Sequence, residues 1–106
     1  MSARNGFKYD AVRRMWVAEK VAGTLDYSHD WKLWLAAGDS LQSSVWTVDS
    51  NELTIVTQAI DGKESVVWLQ GGVVGRTYKV TNSIVTVMGR STKRVFEIRV
   101  VEHLSG

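Results

Sequence analysis

The sequence predicts an all-β sandwich of about seven short strands. Three observations carry that prediction. From Leu41 onward, apolar and polar residues alternate with a period of two in short runs. Turn residues punctuate the runs at roughly 8–12-residue intervals. The chain has 106 residues, no Pro and no Cys, a length that suits one core stabilised by packing alone. The missing Cys also excludes disulfide frameworks, thiol catalysis and Cys-based metal sites.

The elements follow in order. Thr24–Trp31 alternates Leu25, Tyr27 and His29 against Asp26, Ser28 and Asp30, as a strand does. Trp31–Leu35 reads as a tight turn or a single helical turn closed by Gly38. Gln42–Val48 sets Trp46 and Val48 on one face, and Leu53–Gln58 is rich in β-formers. Asp61-Gly62-Lys63 predicts a hairpin with a type I′ turn. In Ser65–Leu69, Val66 and Trp68 alternate against Val67 and Leu69. The glycine run 71–75 lacks the ending of a phosphate loop and is expected to supply positive φ in a tight connection. Thr77–Met88 is the longest candidate strand, with Tyr78, Val80 and Ile84 on its apolar face. Asn82 falls on that same face, as an irregularity or a satisfied buried polar group. Lys93–Glu102 places Phe96, Ile98 and Val100 opposite Glu97 and Arg99.

Gly75-Arg76-Thr77-Tyr78-Lys79-Val80 has the Gly-x-x-Tyr form that precedes the penultimate strand of immunoglobulin-like sandwiches. There the Tyr hydroxyl bonds back to nearby backbone and pins a corner. Trp46, Trp68, Tyr78 and Phe96 are the expected core residues.

The N-terminal region is less regular. Residues 1–20 carry five Lys or Arg against Asp10 and Glu19, a net of +3, while the remaining 86 residues sum to −1. Residues 11–22 admit either a short helix or a strand. We read residues 1–15 as a basic, aromatic arm and 16–106 as the sandwich domain. Phe7, Tyr9, Arg13, Arg14, Met15 and Trp16 are residue types enriched at interface centres, which makes them candidate partner-docking residues. The competing reading is an extra edge strand of the same domain. Trp31 and Trp34 are either a ligand-stacking surface or a plug at one end of the sandwich, and the plug is favoured.

Catalytic and metal-binding inventories are thin. His29 and His103 lack ligand spacing, and no Ser lies in a nucleophile elbow. His29 beside Asp26 and Asp30 reads as a polar strand-end residue in preference to a general base. Asp26, Asp30 and Asp39 match no calcium loop. No enzyme activity, cofactor or metal is expected. No apolar run reaches the ~20 residues that span a bilayer, and no secretion signal opens the chain. Neither a membrane nor a specific nucleic acid is an expected partner.

Several blocks together resemble the small virion proteins of tailed bacteriophages known as fibre–tail adaptors. They are Leu25-Asp26-Tyr27-Ser28-His29-Asp30-Trp31 with Trp34-Leu35 and Gly38-Asp39, then Ser43–Val48, Val67–Gly72, Gly75–Asn82, Gly89–Thr92 and Phe96–Val100. Before Leu25 the family usually carries a Lys-Asp-Pro-type stretch, where this chain has Glu19-Lys20-Val21-Ala22-Gly23. The resemblance implies a non-enzymatic virion component, assembled in the host cytoplasm as a homo-oligomer or multi-copy ring. It would link tail or neck to fibres through other structural proteins. The alternatives are a capsid decoration protein and a host-glycan-binding module.

Overall fold

The computed structural model describes residues 5–103, all of whose regular elements are strands. The nine strands are β1 (Asn5–Gly6), β2 (Lys8–Asp10), β3 (Met15–Lys20), β4 (Thr24–Asp30), β5 (Leu41–Val48), β6 (Leu53–Asp61), β7 (Glu64–Gly71), β8 (Thr77–Thr86) and β9 (Ser91–Val100). They form a sandwich of a four-stranded sheet, order β1-β4-β7-β6, and a five-stranded sheet, order β2-β3-β9-β8-β5. The predicted all-β sandwich is therefore present. Residues 11–22 resolve as the strand alternative, since β3 runs parallel to β9 from Trp16↔Phe96 to Lys20↔Val100.

Alternation decides the interior. Tyr27, Trp46, Val67, Leu69, Val80, Phe96, Ile98 and Val100 form the main apolar cluster. A second cluster of Trp31, Leu35, Leu41 and Ile84, with Trp34 against it, fills the end of the sandwich near the β4–β5 loop. Asn82 is the satisfied buried polar group that its place on the apolar face required. Its Oδ1 accepts from Ser65 Oγ at 2.6 Å and from the Trp31 indole at 3.1 Å, and its Nδ2 donates to Ser44 Oγ at 2.8 Å. Those bonds join β5, β7, β8 and the start of the β4–β5 loop across the two sheets.

The Tyr78 hydroxyl accepts the Val73 backbone N–H at 2.8 Å and donates to Glu52 Oε1 at 2.9 Å, pinning the turn before β8. Gly72, at φ +94°, fits this corner because a Cβ there would lie 2.6 Å from Val100 Cγ2. The turn at Trp31 is a single helical turn, with Trp34 and Leu35 both donating to the Trp31 carbonyl at 2.9 Å.

Three expectations are corrected. Trp68 is half-buried on the outer face of the four-stranded sheet, because the register of β7 turns Val67 and Leu69 inward. A one-residue choice of face moves every side chain, and both faces of this run are apolar enough to be buried. The β6–β7 hairpin closes at Asp61↔Glu64, which makes Gly62 and Lys63 the central pair. Only Gly62 has positive φ (+62°), the pattern of a type II′ turn instead of type I′. Residues 5–15 do not form a free arm. β1 pairs parallel with β4, and β2 pairs antiparallel with β3, so this stretch belongs to both sheets. Residues 1–4 of the expected arm lie outside the described residues.

Candidate docking surface

The N-terminal segment crosses from one sheet to the other at Phe7. Its ring packs 4.3 Å from Phe96, 5.8 Å from Tyr27 and 5.9 Å from Trp46, centroid to centroid. Phe7 is only 7% exposed and belongs to the main core. It is therefore withdrawn from the docking set, because a ring held on three sides by core aromatics has no face for a partner.

Beyond Phe7 the chain turns outward. β2 and β3 form a hairpin whose tip is residues 11–14. Asp10 Oδ1 accepts the backbone N–H groups of Val12 (3.1 Å) and Arg13 (3.2 Å), which shapes the turn. Arg14 closes it in the left-handed region at φ +56°. Val12 is 94% exposed at the tip. Arg13 is bound to Glu97 on the neighbouring β9, whereas the Arg14 residue lies exposed. Tyr9 stands half out of the surface, edge-on to Trp16 at 5.2 Å. Met15 and Trp16 are half-buried.

Behind Trp16 lies a layer of rings in edge-on and tilted contact, with one cation. His29 contacts Trp16, Trp31 and Phe96 at 4.7–4.9 Å. The Arg94 guanidinium lies over Trp31 at 4.7 Å and over Trp16 at 5.4 Å, and its Nη1 is 2.6 Å from His29 Nε2. Burial, reinforced by the Arg94 charge and opposed by Asp30, pushes the His29 pKa down to about 4. His29 is thus a neutral imidazole whose Nε2 accepts from Arg94. Arg94 comes from the basic stretch 90–94, and nothing in that stretch distinguishes it from Lys93. Only the strand register turns one inward and the other out.

Trp31 is 1% exposed, with its indole N–H spent on Ser65 and Asn82. It is the plug and presents no stacking face. Trp34 is half-buried, and the Arg90 guanidinium covers its ring at 4.2 Å. Neither forms the open ligand surface considered from the sequence. Trp46, Tyr78 and Phe96 do occupy the core.

Lys20 escaped sequence reasoning. It is fully buried at the end of β3, and its ammonium donates to the carbonyls of Val21 (2.9 Å), Gly23 (2.6 Å) and Gly71 (2.9 Å). Three donors meet three acceptors, which compensates a burial that lowers its pKa. A basic N-terminal segment disguises it as one more surface charge. Among the described residues, no three His, Asp or Glu side chains gather as a metal site.

The buried Lys20 and His29 and the half-buried Arg94 are thus all engaged within this two-sheet sandwich. The chain belongs to the family described as podophage GP4 fiber-tail adaptor protein gp77, whose match spans residues 20–99. It is thereby a structural adaptor of the phage virion. No curated protein matches the chain.

Proposed function

We propose that this adaptor joins the tail or neck of the particle to its fibres, in many copies and without catalysis. The contacts that do so centre on the β2–β3 hairpin, with Tyr9, Arg13, Arg14, Met15 and Trp16 as docking residues. The observation that carries this reading is the hairpin tip, where Val12 and two arginines project from a segment otherwise bonded into both sheets. Exposed apolar and Arg side chains on a pre-organised support are economical for binding, because little ordering remains to be done. The connectivity supports an immunoglobulin-like sandwich. β4, β7 and β6 correspond to strands B, E and D, and β9, β8 and β5 to G, F and C, with Tyr78 at the start of F.

The test is complementation of a phage lacking the gene with the variant Val12→Ser/Arg13→Ala/Arg14→Ala, after a thermal melt shows that it folds. Particles are expected to carry fewer copies of the adaptor and fewer fibres. Wild-type fibre attachment would overturn the docking role, and a label found on the head would favour capsid decoration.

A further inference from the structure

The two outer faces of the sandwich differ in sign. On the four-stranded sheet the register directs Asp26, Asp61 and Glu64 away from the core, on the side opposite Tyr27, Val67 and Leu69. The strands of that face carry no outward Lys or Arg among the described residues. On the β5–β8–β9 half of the other sheet, Lys79, Lys93 and Arg99 point outward, opposite Val80, Phe96 and Ile98. The carboxylates beside them are Glu97, in register with Lys79 and bound to Arg13, and Glu19 on the neighbouring β3, in register with Arg99. Asp26, Asp61 and Glu64 each keep contacts within their own chain, and the difference in sign is a count over the described strand residues of each face.

Both faces also hold apolar surface. Val45 (52% exposed), Val85 and Val95 (38% each) lie among the cations. The half-buried Trp68 lies among the acids, in register with Asp26 and Thr57. An aromatic beside aliphatic and small side chains, ringed by charges of one sign, is the make-up of an interface centre and rim. Here the complementary surface is carried by the same molecule.

We infer that the occupant of each face is a second copy of this chain, with the acidic four-stranded face of one copy stacked on the basic β5–β8–β9 face of the next. The inference deepens the multi-copy reading above and rests on it. Because the two faces lie on opposite sides of the sandwich, the contact is heterologous. Every association leaves one acidic and one basic face open, so the assembly grows until its rotation closes a ring or, failing that, extends as a filament. A two-fold dimer through one face would bring like charges together, which opposes it.

Sedimentation of the purified full chain tests the pairing separately from particle incorporation, which tests the adaptor role. Wild-type chain is expected to associate at ~0.01 M salt, where the screening length is about 30 Å, and to dissociate at ~1 M, where it is about 3 Å. Lys79→Glu/Lys93→Glu and Asp26→Lys/Asp61→Lys should each weaken association roughly 100-fold or more while retaining the wild-type strand signal in circular dichroism. Mixing the two variants should restore association, because each supplies the sign that the other lost. A monomeric wild type at low salt would overturn the inference. So would loss of association in one variant alone, or variants that stay separate when mixed. Should the charge-reversed chains fail to fold, Lys79→Ala and Asp61→Asn give the same readout with smaller shifts.

Discussion

The hairpin of β8 and β9 and the N-terminal segment of β1 to β3 hold their places by different means. Nine antiparallel pairs run without interruption from Thr77↔Arg99 to Val85↔Ser91, so a short turn places every later pair. The N-terminal strands contribute two, three and five pairs to partners in both sheets, and two of the three pairings are parallel. Parallel partners cannot be joined by a tight turn, so sequence neighbours do not align them. The 11–14 turn aligns β2 on β3, whereas alignment of β1 depends on Phe7, which crosses between the sheets and locks into the aromatic core. A segment with few ladder bonds thus concentrates its attachment in one ring, whereas the hairpin spreads its attachment over its whole length.

The strongest way to break this comparison is Phe7→Ala. Removing a buried aromatic should cost about 3–5 kcal/mol in urea denaturation, whereas Val12→Ala, five residues on, should stay within about 0.5 kcal/mol. A loss under about 1 kcal/mol for Phe7→Ala would return the segment to the status of a loose arm.

Acid should loosen the same region next. The folded His29 pKa is about 4 against an ordinary 6.5, so the unfolded chain takes up the proton first. The neutral-imidazole contribution is complete above pH 6.5 and is lost as the pH falls toward 4. The loss is on the order of 2–3 kcal/mol, allowing for partial solvent screening. Denaturation midpoints followed across that window should slope down in the wild type and flatten in His29→Gln.

Asn82→Ala probes the hairpin side of the comparison. It leaves the Ser65 hydroxyl without its acceptor between the sheets and takes one of the two acceptors of the Trp31 indole, at a cost of about 2 kcal/mol. If Asn82→Ala cost less than Arg13→Ala, the polar layer would not be what ties the two apolar clusters together. Arg13→Ala is the smallest effect, about 0.5–1 kcal/mol, since half of the Arg13 side chain is in water while Glu97 is largely covered. A double-mutant cycle with Glu97→Gln isolates that pair.

The strands from Leu41 to Val100 were legible because alternation and turn chemistry are local signals. Tyr78 is the clearest case, where a Gly-x-x-Tyr spacing foretold a hydroxyl bonded to the Val73 backbone. Asn82 was legible as a buried polar residue, though its partners on two other strands and in the β4–β5 loop were not. Trp68 went astray because Val66 and Trp68 match Val67 and Leu69 in apolar content, so alternation supplied a period without a direction. Lys20, His29 and Arg94 were illegible as a group. A Lys sealed by three carbonyls and a Lys in water have the same letter and similar neighbours. The docking set divided for the same reason, with Phe7 inward and Tyr9 half outward.

By itself, then, the sequence determined the all-β class, the strands beyond residue 23, the tyrosine-pinned corner and the family. Each of these rests on spacing along the chain. Tertiary structure alone decided which face of each strand was buried, that the basic N-terminal residues join both sheets, and how the charges of the described strands divide between the two outer faces. Those properties depend on strands brought together from distant positions, and burial and net sign are sums over neighbours in space.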